Sequence, residues 1–510
     1  MSLLLGDFAT DRPEAVALID DRRRVTWAEL DRRVDQVRQA LAGRGLGEGS
    51  TVAVMAGNQI ELFELTLACI QSGILVVPVN WHAVADEVRY ILDDAGADAF
   101  VVDERWIDVA IGAGAPAVSI VIGADAPEGF ETWKAFTDVD ASTTPEPIRG
   151  GVMFYTSGTT GKPKGVRGSL AGVGGDAAMW QLLAGSTSMF SLAEDEPVYA
   201  LAGPVYHSAQ WVFAYFSLLS GATVTMQHAF DPESLLAMIE RERVTNSFLV
   251  PTQFTRLLRL DDDVRSRYDT SSLVAVHHGG APCSPRVKRA MIDWLGPVVW
   301  EFYGGTEGGF ISMISAEEWL ERPTSVGRIV PIVEVFVTDD DGVRVGPNVP
   351  GNLWFKSIMG TSFEYHNAPE KTADAHLEPG VATLGDIGYF DDEGFLHLSD
   401  RKIDMIISGG VNIYPAEIET VLSDHPSVDD AAVFGIPDDE FGESVLAIVE
   451  APNAPEGLAD ELDQRCRELL AGYKRPRRIE VVDELPRSEV GKVAKRDLRA
   501  PYWAEADRSI

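Results

Sequence analysis

Cysteine is scarce in this chain: Cys69, Cys283 and Cys466 stand far apart among 510 residues, with no Cys-x-x-Cys pair. That spacing argues against a disulfide framework and a structural zinc site, and indicates a reducing compartment. Long apolar runs are also lacking. Residues 73–79 make only a strand-length stretch, far short of the ~18 residues of a spanning helix. The first eleven residues carry acidic side chains and lack the basic-then-apolar order of a secretory signal. A cytoplasmic protein with no membrane span is expected. Positive charge is in deficit, with 43 Lys and Arg against 79 Asp and Glu, a net −36. Such a balance argues against nucleic acid or an anionic membrane as the main partner. The acidity is spread along the chain, as on a solvated surface. An anionic substrate must therefore be held by local lysines, arginines and backbone amides.

What is present is an alternation of buried strand and helix. Residues 16–19 and 25 read as a small hairpin, and Thr26 with Glu29 as a capping box. Leu30, Val34, Val37 and Leu41 follow at helical spacing, with Gly43 as a stop. Strands at 51–55, 74–79 and 99–102 alternate with helices at 61–72 and 85–94. After a connection at 128–148, strands at 198–201, 222–226 and 246–250 alternate with helices at 211–219 and 232–240. This pattern predicts α/β architecture, with covered, largely parallel sheets. A single core stops growing near 250–300 residues, so a second domain is expected. From residue 400 the elements become shorter, and about 110 residues suffice for a small α+β domain. The expected units are 1–400 and 404–510, joined by a polar link at 400–403.

The most informative stretch is residues 155–166, Y-T-S-G-T-T-G-K-P-K-G-V. Gly158, Gly161 and Gly165 let backbone N–H groups turn toward an anion. Thr156, Ser157, Thr159 and Thr160 add donors, and Lys162 and Lys164 add charge, so the loop suits a polyphosphate. It is not a Walker A loop, which needs Ser or Thr straight after its lysine and a helix opening there. Pro163 occupies that place and disfavours a helix at the residue before it. The plain alternative is a flexible Gly- and Thr-rich turn.

This stretch resembles the signature loop of the adenylate-forming superfamily: acyl-CoA synthetases, peptide-synthetase adenylation domains and luciferases. Further stretches match that superfamily in the expected order. In Pro204-Val205-Tyr206-His207-Ser208 the resemblance puts His207 beside the acyl pocket and the reacting carboxylate; a core histidine at a strand end is the alternative. In His278-Gly279-Gly280-Ala281-Pro282, it sets Gly280, Ala281 and Pro282 against adenine and the acyl chain; a simple turn is the alternative. In Tyr303-Gly304-Gly305-Thr306-Glu307, Tyr303 would stack on adenine, Thr306 bond phosphate oxygens and Glu307 hold Mg²⁺. A hard cation facing phosphates wants one or two carboxylate oxygens and keeps several waters. Asp386 would accept from both ribose hydroxyls, and Arg401 would contact ribose or phosphate. Ile403 departs from the Asp or Lys common at the pivot position in relatives. Gly409 and Gly410 resemble the loop facing the thiol cosubstrate. In the P-x-x-x-x-G-K stretch at 486–492, the catalytic lysine falls on Lys492.

The resemblance, nearest to a fatty-acid or aryl-acid CoA ligase, implies two steps. A carboxylate attacks the α-phosphate of MgATP to give acyl-AMP and pyrophosphate, and coenzyme A then displaces AMP. The small domain would rotate between steps, so that Lys492 serves the first and Gly409-Gly410 the second. Coenzyme A is the expected acceptor because no carrier domain is fused; loading of a separate carrier protein is the alternative. A non-catalytic nucleotide-binding regulator is disfavoured by the presence of both Glu307 and Lys492. A homodimer is left open. Trp211, Val212, Phe213 and Phe216 suggest a hydrophobic acid if they wall the acyl pocket, although the same face reads equally as core. Cys283 is expected to be structural.

Overall fold

The computed structural model describes residues 3–114, 116–140, 145–156, 163–185, 191–193, 195–358, 360–401, 404–408, 411–438, 441–487 and 491–504; the side chains of Asp400, Arg401 and Asn412 fall outside the description. Two large sheets dominate. The first is parallel throughout, in the order Glu131–Thr132, Val118–Ile122, Ala99–Asp103, Thr51–Met55, Leu75–Pro78, Gly151–Val152. Its central strands are buried from end to end, as helices on both faces require.

The second sheet is mixed. Val16–Ile19, Thr223–Met226, Val198–Leu201, Asn246–Leu249, Ala275–His278 and Val299–Gly305 run parallel. From Val299–Gly305 onward it turns antiparallel through Gly309–Ile314, Ser325–Ile329, Leu396–Arg401 and Asp386–Phe390. This antiparallel half was not read from the sequence. Its strands carry alternating burial and are broken by bulges, so no continuous apolar run marks them. The expected connection at 128–148 also holds a short strand, Glu131–Thr132, and a helix, Trp133–Thr137. Thr132 Oγ1 caps that helix by accepting from Ala135 N–H at 3.2 Å.

One core joins both sheets through the helices Trp27–Gly43, Ile60–Cys69 and Ser208–Leu219. Thr26 starts the first helix by accepting from Glu29 N–H at 3.2 Å, one arm of the expected box. Tyr215 stacks between Phe63 and Trp211, with both centroid distances 4.4 Å. Trp211, Phe213 and Phe216 are all buried here, so these three rings pack as core. The segment from Ile406 to Val481 has a core of its own around a five-stranded sheet.

One charge is enclosed in the large core's margin. Glu64 is wholly buried and is held by Arg33 (Nη2 to Oε2, 2.9 Å) and by Arg23 at 3.2 Å. Removing one partner of a buried pair strands the other charge, whereas replacing the pair with apolar groups need not destabilise. Arg33→Ala should therefore lower the urea-unfolding free energy by about 3 kcal/mol, and Arg33→Met with Glu64→Leu should recover most of that loss.

Candidate functional site

The site forms where a small three-stranded sheet, Glu364–Tyr365, Lys164–Arg167 and Phe154–Thr156, meets strand ends of the mixed sheet, and the glycines decide how closely they approach. Strands Phe154–Thr156 and Lys164–Arg167 pair antiparallel, with Thr156 opposite Lys164. They bracket the Gly- and Thr-rich loop; Ser157, Gly158, Thr159 and Thr160 themselves lie outside the described residues. A Cβ on Gly165 would sit 3.0 Å from Met153 Sδ and 3.1 Å from His366 Cβ, so the hairpin stem admits only glycine without rearrangement. Lys164 Nζ lies over the Tyr365 ring at 4.8 Å. Burial, with Lys371 nearby, lowers the Lys164 pKa. Tyr365 in turn donates its hydroxyl to Glu307 Oε1 at 3.1 Å.

Strand Val299–Gly305 delivers Tyr303 and leads into Thr306 and Glu307. Thr306 Oγ1 lies 2.8 Å from Ser208 Oγ at the start of helix Ser208–Leu219. Tyr303 donates its hydroxyl to Asp386 Oδ2 at 2.6 Å. An ionised carboxylate has acceptor positions beyond the one this bond uses. Arg401 stands opposite Asp386 in the strand register.

Strand Ala275–His278 ends in the double glycine. A Cβ on Gly279 would stand 2.6 Å from the Phe302 carbonyl oxygen, and Gly280 has φ +78°. The turn thus follows from both a close approach and a left-handed backbone. Behind it, buried Lys288 Nζ bonds Glu301 Oε2 at 2.6 Å, with His278 Nε2 3.9 Å from the same oxygen. Burial pushes the Cys283 thiol up, away from nucleophilic chemistry.

His207 precedes helix Ser208–Leu219 and packs on Tyr206, with ring centroids 4.3 Å apart. Its Nε2 is shielded and has no hydrogen-bond partner among the described residues. Burial pushes its pKa down to about 3, and the positive charge of Lys492 and nearby His82 add to the effect. Lys492 thus lies close enough to be felt at His207. It follows Gly491, whose φ is +74° and which rests on Thr252. Gly409 and Gly410 lie outside the described residues, as do Lys402 and Ile403 of the expected link.

The structure therefore brings Lys164, His207, Thr306 and Glu307 into one neighbourhood with the Tyr303–Asp386 pair and Lys492. The sequence reading missed Ser208 as a partner of Thr306, and it missed Tyr365. Ser208 lay within a quoted stretch, but Tyr365 sits in a two-residue strand with no motif. One carboxylate at Glu307, flanked by the Thr306 hydroxyl and the Lys164 cation, fits a hard cation that keeps waters and phosphate oxygens as its other ligands. Among the described residues no group of three or more His, Cys, Asp or Glu makes a protein-only metal site.

Because its folded-state pKa is depressed, His207 favours the folded state fully above its ordinary 6.5, and this contribution is lost as pH falls from there toward 3. Nuclear magnetic resonance of ring-labelled protein should show a neutral imidazole across pH 5–8. Lys492→Ala should raise its pKa; a His207 titrating near 6.5 in the unsubstituted chain would contradict the enclosure.

Comparison with known proteins supplies a frame for this geometry. A profile described as "AMP-binding enzyme" matches residues 5–362, and one described as "AMP-binding enzyme C-terminal domain" matches residues 417–492. A 2-succinylbenzoate–CoA ligase of Geobacillus kaustophilus is 34% identical, over 96% of this chain and 95% of that one. A fatty acid–[acyl-carrier-protein] ligase of Streptomyces coeruleorubidus is 29% identical over 98% and 96%. Among solved structures, an amide bond synthetase of Marinactinospora thermotolerans superposes with a TM-score of 0.86 at 29% identity, covering 98% of this chain and 99% of that one.

Proposed function

The chain belongs to the AMP-binding enzyme family, and from that premise we propose that it activates a hydrophobic carboxylic acid as acyl-AMP and passes the acyl group to coenzyme A. It is an acid–thiol ligase of the adenylate-forming superfamily, using ATP, Mg²⁺ and coenzyme A. The choice of a fatty, aromatic or alicyclic acid is the finer reading. It draws support from relatives named for a fatty acid and for an aromatic one. It no longer draws on Trp211, Phe213 and Phe216, which are core. No described helix is long and apolar enough to cross a membrane; a cytoplasmic location remains part of the proposal.

The observation that supports the reading is the close packing of Gly491, the residue before Lys492, on Thr252 at the start of helix Pro251–Leu258, which is what a C-terminal lysine delivered to the strand ends of the large domain would require. A bare carboxylate is a poor acyl donor, and adenylation makes AMP the leaving group. In the first step the carboxylate oxygen bonds to the α-phosphorus and the bond to pyrophosphate breaks. We assign Lys492 to neutralise charge there, with Thr306, Thr156, Ser157, Gly158, Thr159, Thr160 and Lys164 binding phosphate oxygens. Glu307 would hold Mg²⁺, which offsets phosphate charge when bound. Asp386 and Arg401 would bind the ribose, and Tyr303 with Gly280, Ala281 and Pro282 the adenine. Neutral His207 can border the carboxylate without competing with Lys492 as a cation. In the second step the thiol gives up its proton to solvent, its sulfur bonds to the carbonyl carbon, and the bond from that carbon to the AMP phosphate oxygen breaks, with Gly409 and Gly410 proposed to face the thiol. The small domain, proposed to begin at residue 404, would turn between steps.

The match to a carrier-protein ligase favours one second reading, transfer to a separate carrier protein. Lys492→Ala should cut acyl-adenylate formation by at least ~10²-fold, while thioester formation from supplied acyl-adenylate survives. Equal loss in both steps would overturn the assignment of Lys492 to one of them.

A further inference from the structure

The helix Pro251–Leu258 of the large domain meets the small domain at both ends. Near its start Thr252 lies under Gly491, the residue before Lys492. Just past its end, Arg259 Nη2 reaches Asp429 Oδ2 at 2.5 Å and Glu450 Oε1 at 3.4 Å. A second large-domain arginine, Arg286, donates to the Val428 carbonyl at 2.8 Å. Glu450 is a hub: its side chain is only 7% exposed. Its Oε2 accepts from Leu485 N–H at 3.1 Å and from Arg487 Nη2 at 2.7 Å. Arg487 then holds Asp430 Oδ2 at 2.8 Å and the Gly491 carbonyl at 3.2 Å. A continuous set of charge-assisted contacts therefore runs from Arg259 through Glu450 and Arg487 to the backbone beside Lys492.

We propose that Arg259 is a positioning residue that latches the small domain in the orientation delivering Lys492, acting through Glu450 and Arg487. The inference rests on the two-step reading above. Glu450 sits between two guanidinium groups, one from each domain. A nearly buried carboxylate that loses one cation becomes less well compensated, so the contact favours the orientation in which both are present. Asp429, Arg259's second partner, also belongs to the small domain. Turning that domain away from helix Pro251–Leu258 breaks both pairs, while Arg487 stays with Glu450. The latch therefore biases one of two orientations, and its strength sets how readily the first step gives way to the second. Both contacts leave one terminal nitrogen, Nη2, whose two hydrogens serve both carboxylates at once with a fixed direction, whereas a lysine serves them only as a point charge.

The test uses the full chain with the two half-reactions measured apart. Acid-dependent exchange of labelled pyrophosphate into ATP reports adenylation; thioester formation from supplied acyl-adenylate and coenzyme A reports transfer. Arg259→Ala should lower the exchange about tenfold and leave transfer within about twofold. Arg259→Lys should recover part of the exchange. Asp429→Asn should reproduce the defect, and joining it to Arg259→Ala should add little, since both remove one contact. Equal losses in both half-reactions, or undiminished exchange in Arg259→Ala, would overturn the latch. Should the unsubstituted chain show no exchange with any acid, the adenylation reading itself falls and the latch with it.

Discussion

The hydrogen bond from Tyr303 to Asp386 spans strands that are not neighbours: three strands separate them in the large sheet. The antiparallel half must curl for these side chains to meet at 2.6 Å. That curl brings the end of Leu396–Arg401, which leads to the small domain, beside the last parallel strand. Right-handed sheet twist supplies the sense of the curl, and the bulges at Ile387/Gly388 and Tyr303/Gly304 supply its local sharpness.

The second constraint is electrostatic. A chain of net −36 that binds a polyphosphate would have to gather it against its own field, which favours cations held in place by neighbours. Lys164 rests on Tyr365, and Arg487 bonds the Gly491 carbonyl next to Lys492. Within a few ångströms a fixed cation outweighs charges spread over a screened surface. Keeping His207 neutral fits the same logic, because a second permanent cation there would compete with Lys492.

The parallel strands and amphipathic helices were legible because burial on both faces leaves continuous apolar runs and a capping residue marks a helix start. Thr26, Leu30 and Val34 are examples, as are the strand residues 51–55. Glycine spacing singles out residues 155–166 for an equally local reason, although residues 157–162 lie outside the described residues. The antiparallel half was not, since its half-buried strands are short and bulged. Tyr365 and Arg259 were invisible because their importance lies in partners distant along the chain, Lys164 and Glu307 for one and Asp429 and Glu450 for the other. The aromatic run at 211–216 shows the converse: side chains suggestive of a pocket wall instead pack on other rings, Trp211 on Phe154, Trp180 and Tyr215, and Phe213 on Phe248.

The decisive measurement is AMP release from MgATP across carboxylic acids from acetate through long-chain to aromatic, each with and without coenzyme A. Release is expected only with both coenzyme A and a hydrophobic acid, and acetate is expected to be inactive. Acid-dependent pyrophosphate release indifferent to coenzyme A, or a preference for acetate, would contradict coenzyme A ligation of a hydrophobic acid.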